Sequence, residues 1–178
     1  MDHQPMKIRD AQAADMPRVA EIYNYYIINS VVTFAEQEVS ASDMLEKFSG
    51  IVKKYPFLVA ENEAGRIIGY AYCIPFRTAS AYRNAESTIY LDSEEAGKGY
   101  GSKLYSELMK RMKQLGFRTI VGVITMDNAA SIAMHERMGF IRAGLLTNAG
   151  FKLGRWLNIG LWELNLEKYP DIIDFSGN

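Results

Sequence analysis

Cysteine is all but missing from this chain: Cys73 stands alone in 178 residues. A single thiol excludes an internal disulfide and any metal site built from cysteines. Excess charge of either sign is also missing, with 20 Lys and Arg against 21 Asp and Glu and a formal net charge of −1. That balance removes the electrostatic basis for gripping nucleic acid or an anionic membrane. No apolar run approaches the roughly 20 residues of a membrane span, and the opening MDHQPMKIRD lacks the apolar stretch of a secretory leader. Internal repeats and low-complexity segments are absent as well. Together these point by default to a cytoplasmic protein without a metal, nucleic-acid or membrane partner. What remains is a chain with 48% apolar residues, enough for one core. A single domain over 1–178 is expected, with 167–178 as a loosely packed tail.

Patterning along the chain predicts β α α β β β α β α β β. MKIRDA (6–11) reads as a first strand, after which Asp15 is placed to cap a helix with Pro17 in its first turn. Val19, Ile22, Tyr23, Tyr26 and Ile27 recur at helical spacing, and Ser40 or Ser42 caps a second helix through Met44, Leu45 and Phe48. PFLVAE (56–61) and RIIGYAYCIPF (66–76) flank a turn and read as a hairpin. ESTIYLD (86–92) is the next strand, followed by a glycine-rich loop and a helix from Ser102 to Leu115 that Gly116 ends. RTIVGVIT (118–125) has the composition of a buried strand, and a helix starts near Asp127 or Asn128 and stops at Gly139. FIRAGLL and RWLNIGLWELNL are two more strands, separated by TNAGFKLG. The crossover between ESTIYLD and RTIVGVIT makes those two strands parallel, while the hairpins are antiparallel. The fold class is therefore α/β in content (α+β), a mixed, mostly antiparallel twisted sheet with helices on both faces and a central parallel pair.

The loop EEAGKGYGS places Gly97, Gly99 and Gly101 at alternate positions just before a helix. A nucleotide P-loop requires Lys followed by Ser or Thr, and here Gly99 follows Lys98. A dinucleotide fingerprint requires G-x-G-x-x-G in a first β-α-β unit, and neither spacing nor position fits. An anion nest at a helix N-terminus fits, as successive backbone N–H groups can cradle a pyrophosphate. A flexible turn that merely starts a helix with glycine is the alternative. Downstream, Asn128, Ser131 and His135 share one face of the next helix by their spacing.

The strand–AGKGYG–helix arrangement resembles the coenzyme A pyrophosphate loop of the GNAT N-acetyltransferases, whose pattern is Q/R-x-x-G-x-G/A. Positions 96 to 101 match all but the first, where Ala96 stands for the usual Arg or Gln. IYNYYIINSVVTF (22–34), AYRNAESTIYL (81–91), NAASIAMHERMGF (128–140) and GFKLGRWLNIGLWELNL (150–166) are similar to the branch that acetylates phosphinothricin and methionine sulfoximine or sulfone. The similarity runs from about residue 6 to 166. It implies the GNAT fold, acetyl-CoA as co-substrate, a small-molecule amine as partner, a homodimer, and direct acetyl transfer to an α-amine.

The resemblance also implies roles for particular positions. Glu86 matches the branch's catalytic glutamate, and a carboxylate heading an apolar strand suits a general base; read without the family, a strand-edge glutamate in water fits better. His135 stands where many members carry the tyrosine that protonates the leaving thiolate, and an imidazole could serve as acid or second base; a local bond to Glu136 or a backbone carbonyl is the plain alternative. Cofactor contacts are implied at Ile89, Tyr90 and Leu91, whose strand splays in this family, at Gly97, Lys98, Gly99, Tyr100, Gly101 and Ser102 of the loop, and at Asn128. Acceptor contacts are implied at Phe34, Arg77, Arg83, Glu86, Ser87 and Thr88, with Arg77 or Arg83 clamping a carboxylate. Lys152 and Arg155, in the GFKLGRW turn, fit a structural role. Cys73, inside a strand, reads as core and not as an acyl carrier. Other acceptors on the same fold (a polyamine, an aminoglycoside, a protein N-terminus) and a non-catalytic coenzyme A module are the rival functions. The near-zero net charge and the two arginines before Glu86, Arg77 and Arg83, argue against the polycations, and the presence of both Glu86 and His135 argues against the silent module.

Overall fold

A computed structural model describes residues 6–170. Its elements are β1 (Lys7–Asp10), α1 (Met16–Asn29), α2 (Ala41–Ile51), β2 (Phe57–Glu61), β3 (Ile67–Pro75), β4 (Asn84–Leu91), α3 (Tyr100–Gln114), β5 (Thr119–Thr125), α4 (Ala129–Arg137), β6 (Ile141–Lys152) and β7 (Arg155–Asn165). The order of types is the one patterning predicts. All seven strands form one sheet in the order β1-β2-β3-β4-β5-β7-β6. Every neighbouring pair is antiparallel except β4 and β5, which are parallel and stand fourth and fifth in the sheet.

Strand alternation divides the apolar residues between two cores. In β2, Leu58 and Ala60 face one side, while Phe57 and Val59 face the other. The first core is covered by α3, whose Leu104, Tyr105, Leu108, Met109 and Met112 are fully buried, with Ile132 and Met134 of α4 packed beside them. Recurrence at three and four residues puts those side chains on one stripe, and each contributes about 1.5–3 kcal/mol by leaving water. The second core belongs to α1 and α2, through Met16, Val19, Ile22, Met44 and Phe48. Helices thus lie on both faces.

Four local expectations change. Asp15 precedes α1, but its carboxylate does not cap that helix. It is claimed instead by the Arg9 guanidinium, at 2.7 and 2.9 Å, and by the Gln12 N–H at 2.7 Å. A bidentate guanidinium outcompetes a neutral N–H for a carboxylate, and it holds Asp15 below the ordinary carboxylate range. Ser40 caps α2 as expected, accepting from the Asp43 N–H. The helix after the glycine loop begins at Tyr100, two residues early, because Gly99 takes the N-cap with φ of 81°. Gly101 then lies inside its first turn, where a Cβ would stand 3.3 Å from the Met134 sulfur.

The third change concerns TNAGFKLG, which does not separate the last strands. β6 runs through it to Lys152, and the turn to β7 is only Leu153–Gly154, both with positive φ. The turn-forming residues Asn148 and Gly150 make a bulge within the strand, where the register shifts between Leu146 and Gly150. The fourth is the start of the tail. Tyr169 is buried, its hydroxyl bonds Ser106 at 3.1 Å, and its carbonyl accepts from Lys113 at 2.7 Å. Residues 171–178 of the expected tail lie outside the described residues.

Candidate active site

The parallel pair at the middle of the sheet does not stay together. β4 pairs with β5 from Asn84↔Thr119 to Ser87↔Gly122 and no further. β4 then continues with β3 to Leu91, and β5 continues with β7 to Thr125. The divergence after Ser87 leaves Thr88–Leu91 without a β5 partner and opens a cavity of about 1290 Å³. A parallel pair parting at its C-terminal ends is a common place for a ligand in α/β sheets.

Glu86, Ser87, Thr88, Ile89, Tyr90 and Leu91 line this cavity from β4. Gly97, Lys98, Gly99, Tyr100, Gly101 and Ser102 line it from the loop and the start of α3, and Asn128 and His135 line it from α4. Phe34 lines it from the segment after α1. Arg77 and Arg83 do not line it. Both are exposed in the β3–β4 loop, where Arg83 donates to the Ser80 and Tyr82 carbonyls and Arg77 lies over the Phe76 ring. An arginine near a site in sequence is as readily satisfied by the carbonyls of its own loop as by a ligand.

One end of the cavity is built for an anion. Gly97 and Gly99 have φ of 79° and 81° around Lys98, so successive N–H groups can turn inward ahead of the α3 N-terminus. Lys98 is exposed and ion-paired with Glu95 at 2.8 Å. Lys103 and Arg137 add two further cations to this lining. Lys103 follows Gly99 by one helical turn, a spacing that could have marked it; nothing in the pattern marks Arg137. Asn128 caps α4 by accepting from the Ser131 N–H at 3.1 Å, which leaves its amide NH₂ as the group for a ligand. Of the strand residues, Leu91 already has its carbonyl bonded to the Tyr26 hydroxyl at 2.8 Å.

Strand alternation puts Glu86, Thr88 and Tyr90 on one face of β4, and aromatic rings gather at its Tyr90 end. Tyr23 and Tyr26 each lie 5.2 Å from Tyr90, ring centre to ring centre. Burial raises the Glu86 carboxyl above the ordinary range, and the positive charge of Lys47 works against that rise. No hydrogen bond to that carboxylate occurs among the described residues. A half-buried, unpaired carboxylate is a base held ready for a proton. The adjoining segment Val31–Phe34 is fixed from three sides. Thr125 donates to the Val31 carbonyl at 2.9 Å, buried Lys152 donates to the Thr33 carbonyl at 2.8 Å, and Tyr23 bonds the Thr33 hydroxyl at 2.9 Å. Phe34 lies directly over Gly150, where any Cβ would stand 2.3 Å from the ring. Lys152 is therefore a support for this wall, and burial lowers its pKa. Arg155 is a second brace of the hairpin, paired with Asp127.

Between the two ends a chain of polar groups crosses the floor. His135 is 3% exposed and packs its ring on Gly122, the last β5 residue paired to β4. Its Nδ1 lies 2.8 Å from the Ser131 carbonyl and its Nε2 lies 3.0 Å from the Tyr105 hydroxyl. A carbonyl only accepts, so Nδ1 carries a proton and Nε2 is the acceptor in the neutral ring. Tyr105 also bonds Ser87, which lies 3.2 Å from the Val121 carbonyl. Burial lowers the His135 pKa and raises that of Tyr105, so both are neutral near pH 7. With neutral His135, Ser87 donates to Tyr105 and Tyr105 donates to Nε2. With charged His135, every bond reverses and ends on the Val121 carbonyl. The chain is satisfied in both states, which is the requirement for passing a proton. Tyr105 was not among the residues singled out by sequence; its place on the apolar stripe of α3 gives it the appearance of core.

Relatives with known names match this chain almost end to end. Residues 8–159 match the acetyltransferase (GNAT) domain family. A phosphinothricin N-acetyltransferase of Streptomyces viridochromogenes is 37% identical over 93% of this chain and 91% of its own length. An L-methionine sulfoximine/L-methionine sulfone acetyltransferase of Pseudomonas aeruginosa is 35% identical over 90% of this chain and 94% of its own. Among solved structures, a GNAT-superfamily phosphinothricin acetyltransferase of Sinorhizobium meliloti in complex with acetyl-CoA is 41% identical. It superposes with a TM-score of 0.88 over 97% of this chain and 94% of that one.

Proposed function

The chain belongs to the GNAT acetyltransferase family, and on that premise we propose that it moves the acetyl group of acetyl-CoA to the α-amine of a small, polar amino acid of the phosphinothricin or methionine sulfone type. The observation that carries the acceptor class is the charge of the cavity lining. Glu86 is its single carboxylate among the described residues, against Lys47, Lys98, Lys103 and Arg137. A polyamine or aminoglycoside needs several carboxylates to hold its several ammonium groups, and this lining offers one.

Acetyl-CoA supplies the acetyl group; the residues supply position and proton movement. Backbone N–H groups of Gly97–Gly101 and the α3 N-terminus hold the pyrophosphate, with Lys103 and Arg137 adding charge and Asn128 offering its amide to the pantetheine arm. Glu86 takes a proton from the acceptor ammonium, directly or through a water, so that the nitrogen has a lone pair. As the N–C bond forms and the C–S bond breaks, the departing sulfur requires a proton. The nitrogen sheds a second proton as the amide forms, which balances the one the sulfur takes; the chain Ser87–Tyr105–His135 is neutral at rest and passes a proton on only after His135 has taken one up. Transfer is direct, with both substrates bound at once. Cys73, fully buried with its thiol pKa raised by burial, is unsuited to carry an acyl group.

Free thiol should appear when the protein is mixed with acetyl-CoA and either phosphinothricin or methionine sulfone, and much less with spermidine or an aminoglycoside. Preference for the polyamine would overturn the acceptor assignment.

We also read the working unit as a homodimer in the cytoplasm. No helix among the described residues is long and apolar enough to cross a membrane. β6 is a sheet edge of twelve residues, and it presents Ile141, Leu145, Leu146 and Phe151 to solvent, with Leu153 and Trp156 beside its turn. A long apolar edge is an aggregation hazard unless a partner covers it, and a second copy supplies a self-complementary one. Light scattering should give twice the chain mass for the native protein and one chain mass for Leu146→Glu. A native monomer at every concentration tested would contradict this.

A further inference from the structure

We propose that Lys47 reads the α-carboxylate of the acceptor, so that the site selects free amino acids over amines that lack an acid group. This rests on the amino-acid reading above. The sequence offers Arg77 and Arg83 for that task, yet neither lines the cavity, and both are engaged within their own loop. Of the four cations that do line it, Lys98 and Lys103 belong to the glycine loop and α3, and Arg137 belongs to α4. Lys47 alone comes from α2 and joins Glu86, Tyr23 and Tyr72 at the acceptor end.

Its head group is placed but not consumed. The Lys47 Nζ lies 4.9 Å from the centre of the Tyr72 ring and 5.8 Å from that of Tyr23. Two ring faces attract an ammonium without using its N–H donors. Among the described residues no carboxylate or carbonyl bonds it, whereas Lys98 is held by Glu95 and Lys152 by the Thr33 carbonyl. Its field reaches Glu86, whose carboxyl it pulls downward in pKa. A cation and a carboxylate in the lining of one cavity match a zwitterion: the acceptor ammonium goes to Glu86 and its carboxylate to Lys47. The same field partly offsets the rise that burial gives the Glu86 pKa, so a single lysine bears on both binding and the protonation state of the base.

The test compares methionine sulfone with its α-carboxamide, a neutral isostere, in the wild type, Lys47→Met and Lys47→Arg. Loss of one partly solvated charge-assisted contact should raise the KM for the free amino acid about tenfold in Lys47→Met and leave that for the amide within about twofold. Lys47→Arg should restore most of the selectivity. Equal changes for both acceptors, or none for either, would overturn the assignment and leave Lys47 a packing residue. A wild type that acetylates the amide but no free amino acid would instead defeat the amino-acid reading, and this inference with it.

Discussion

Glu86→Gln should reduce turnover by about 10²- to 10⁴-fold, the range for a general base, with little change in the affinity for acetyl-CoA. The side chain keeps its shape and loses its capacity to take a proton, and the glycine loop that holds the pyrophosphate is a separate part of the cavity lining. The pH dependence follows from the environment. Burial raises the Glu86 pKa and Lys47 only partly opposes it. Below that raised pKa the carboxyl is neutral and cannot act, so the rate of the wild type should climb through an acid limb placed above the ordinary carboxylate range. Glu86→Gln should lack that limb. Stability supplies an independent check on folding. A carboxylate whose folded pKa is raised costs stability as pH rises through it, because the folded state then holds the less favoured charged form. The glutamine variant should therefore melt at or above the wild-type temperature at neutral pH while its activity falls. Full activity would remove Glu86 from the chemistry; a lowered melting temperature would mark a folding defect instead.

Gly99→Val should weaken acetyl-CoA binding by about ten- to a hundredfold, since a β-branched residue held at positive φ costs roughly 1–2 kcal/mol and crowds a backbone that must approach the ligand closely. Gly99 is the N-cap of α3 with φ of 81°. Gly116, at the far end of the same helix, has φ of 82° with no atom near its missing Cβ. Gly116→Val thus carries a similar strain with no cofactor contact and should lower the melting temperature without changing the dissociation constant. Calorimetric titration of both variants separates the two effects. Equal affinities for Gly99→Val and the wild type would show that the loop does not hold the pyrophosphate.

Much of this architecture can be read from local pattern. The glycine loop between a strand and a helix, the crossover that forces β4 and β5 parallel, and the face shared by Asn128 and His135 are consequences of spacing, and each has its counterpart in the fold. What local pattern does not carry is the outcome of competition between distant groups. Asp15 has the form of a helix cap until Arg9 arrives from β1. Arg77 and Arg83 have the form of a carboxylate clamp until their own loop satisfies them. Tyr105 sits in an apolar stripe and shows its polar role only when β4 brings Ser87 and α4 brings His135 to its hydroxyl. Lys47, on a polar face of α2, is indistinguishable from a solvated lysine until Tyr72 of β3 and Tyr23 of α1 meet it. TNAGFKLG has the composition of a loop, yet pairing with β7 extends the strand through it and confines the turn residues to a bulge. In each case a tertiary partner overrides a reasonable local choice.

The most direct test of the central claim is to identify the product. Methionine sulfone and acetyl-CoA incubated with the protein should yield methionine sulfone acetylated at its α-nitrogen, with one thiol released per product. The same mixture with Glu86→Gln should yield both at a rate lower by orders of magnitude. Thiol release without an N-acetylated amino acid, or no reaction with any amino acid in the panel, would contradict it.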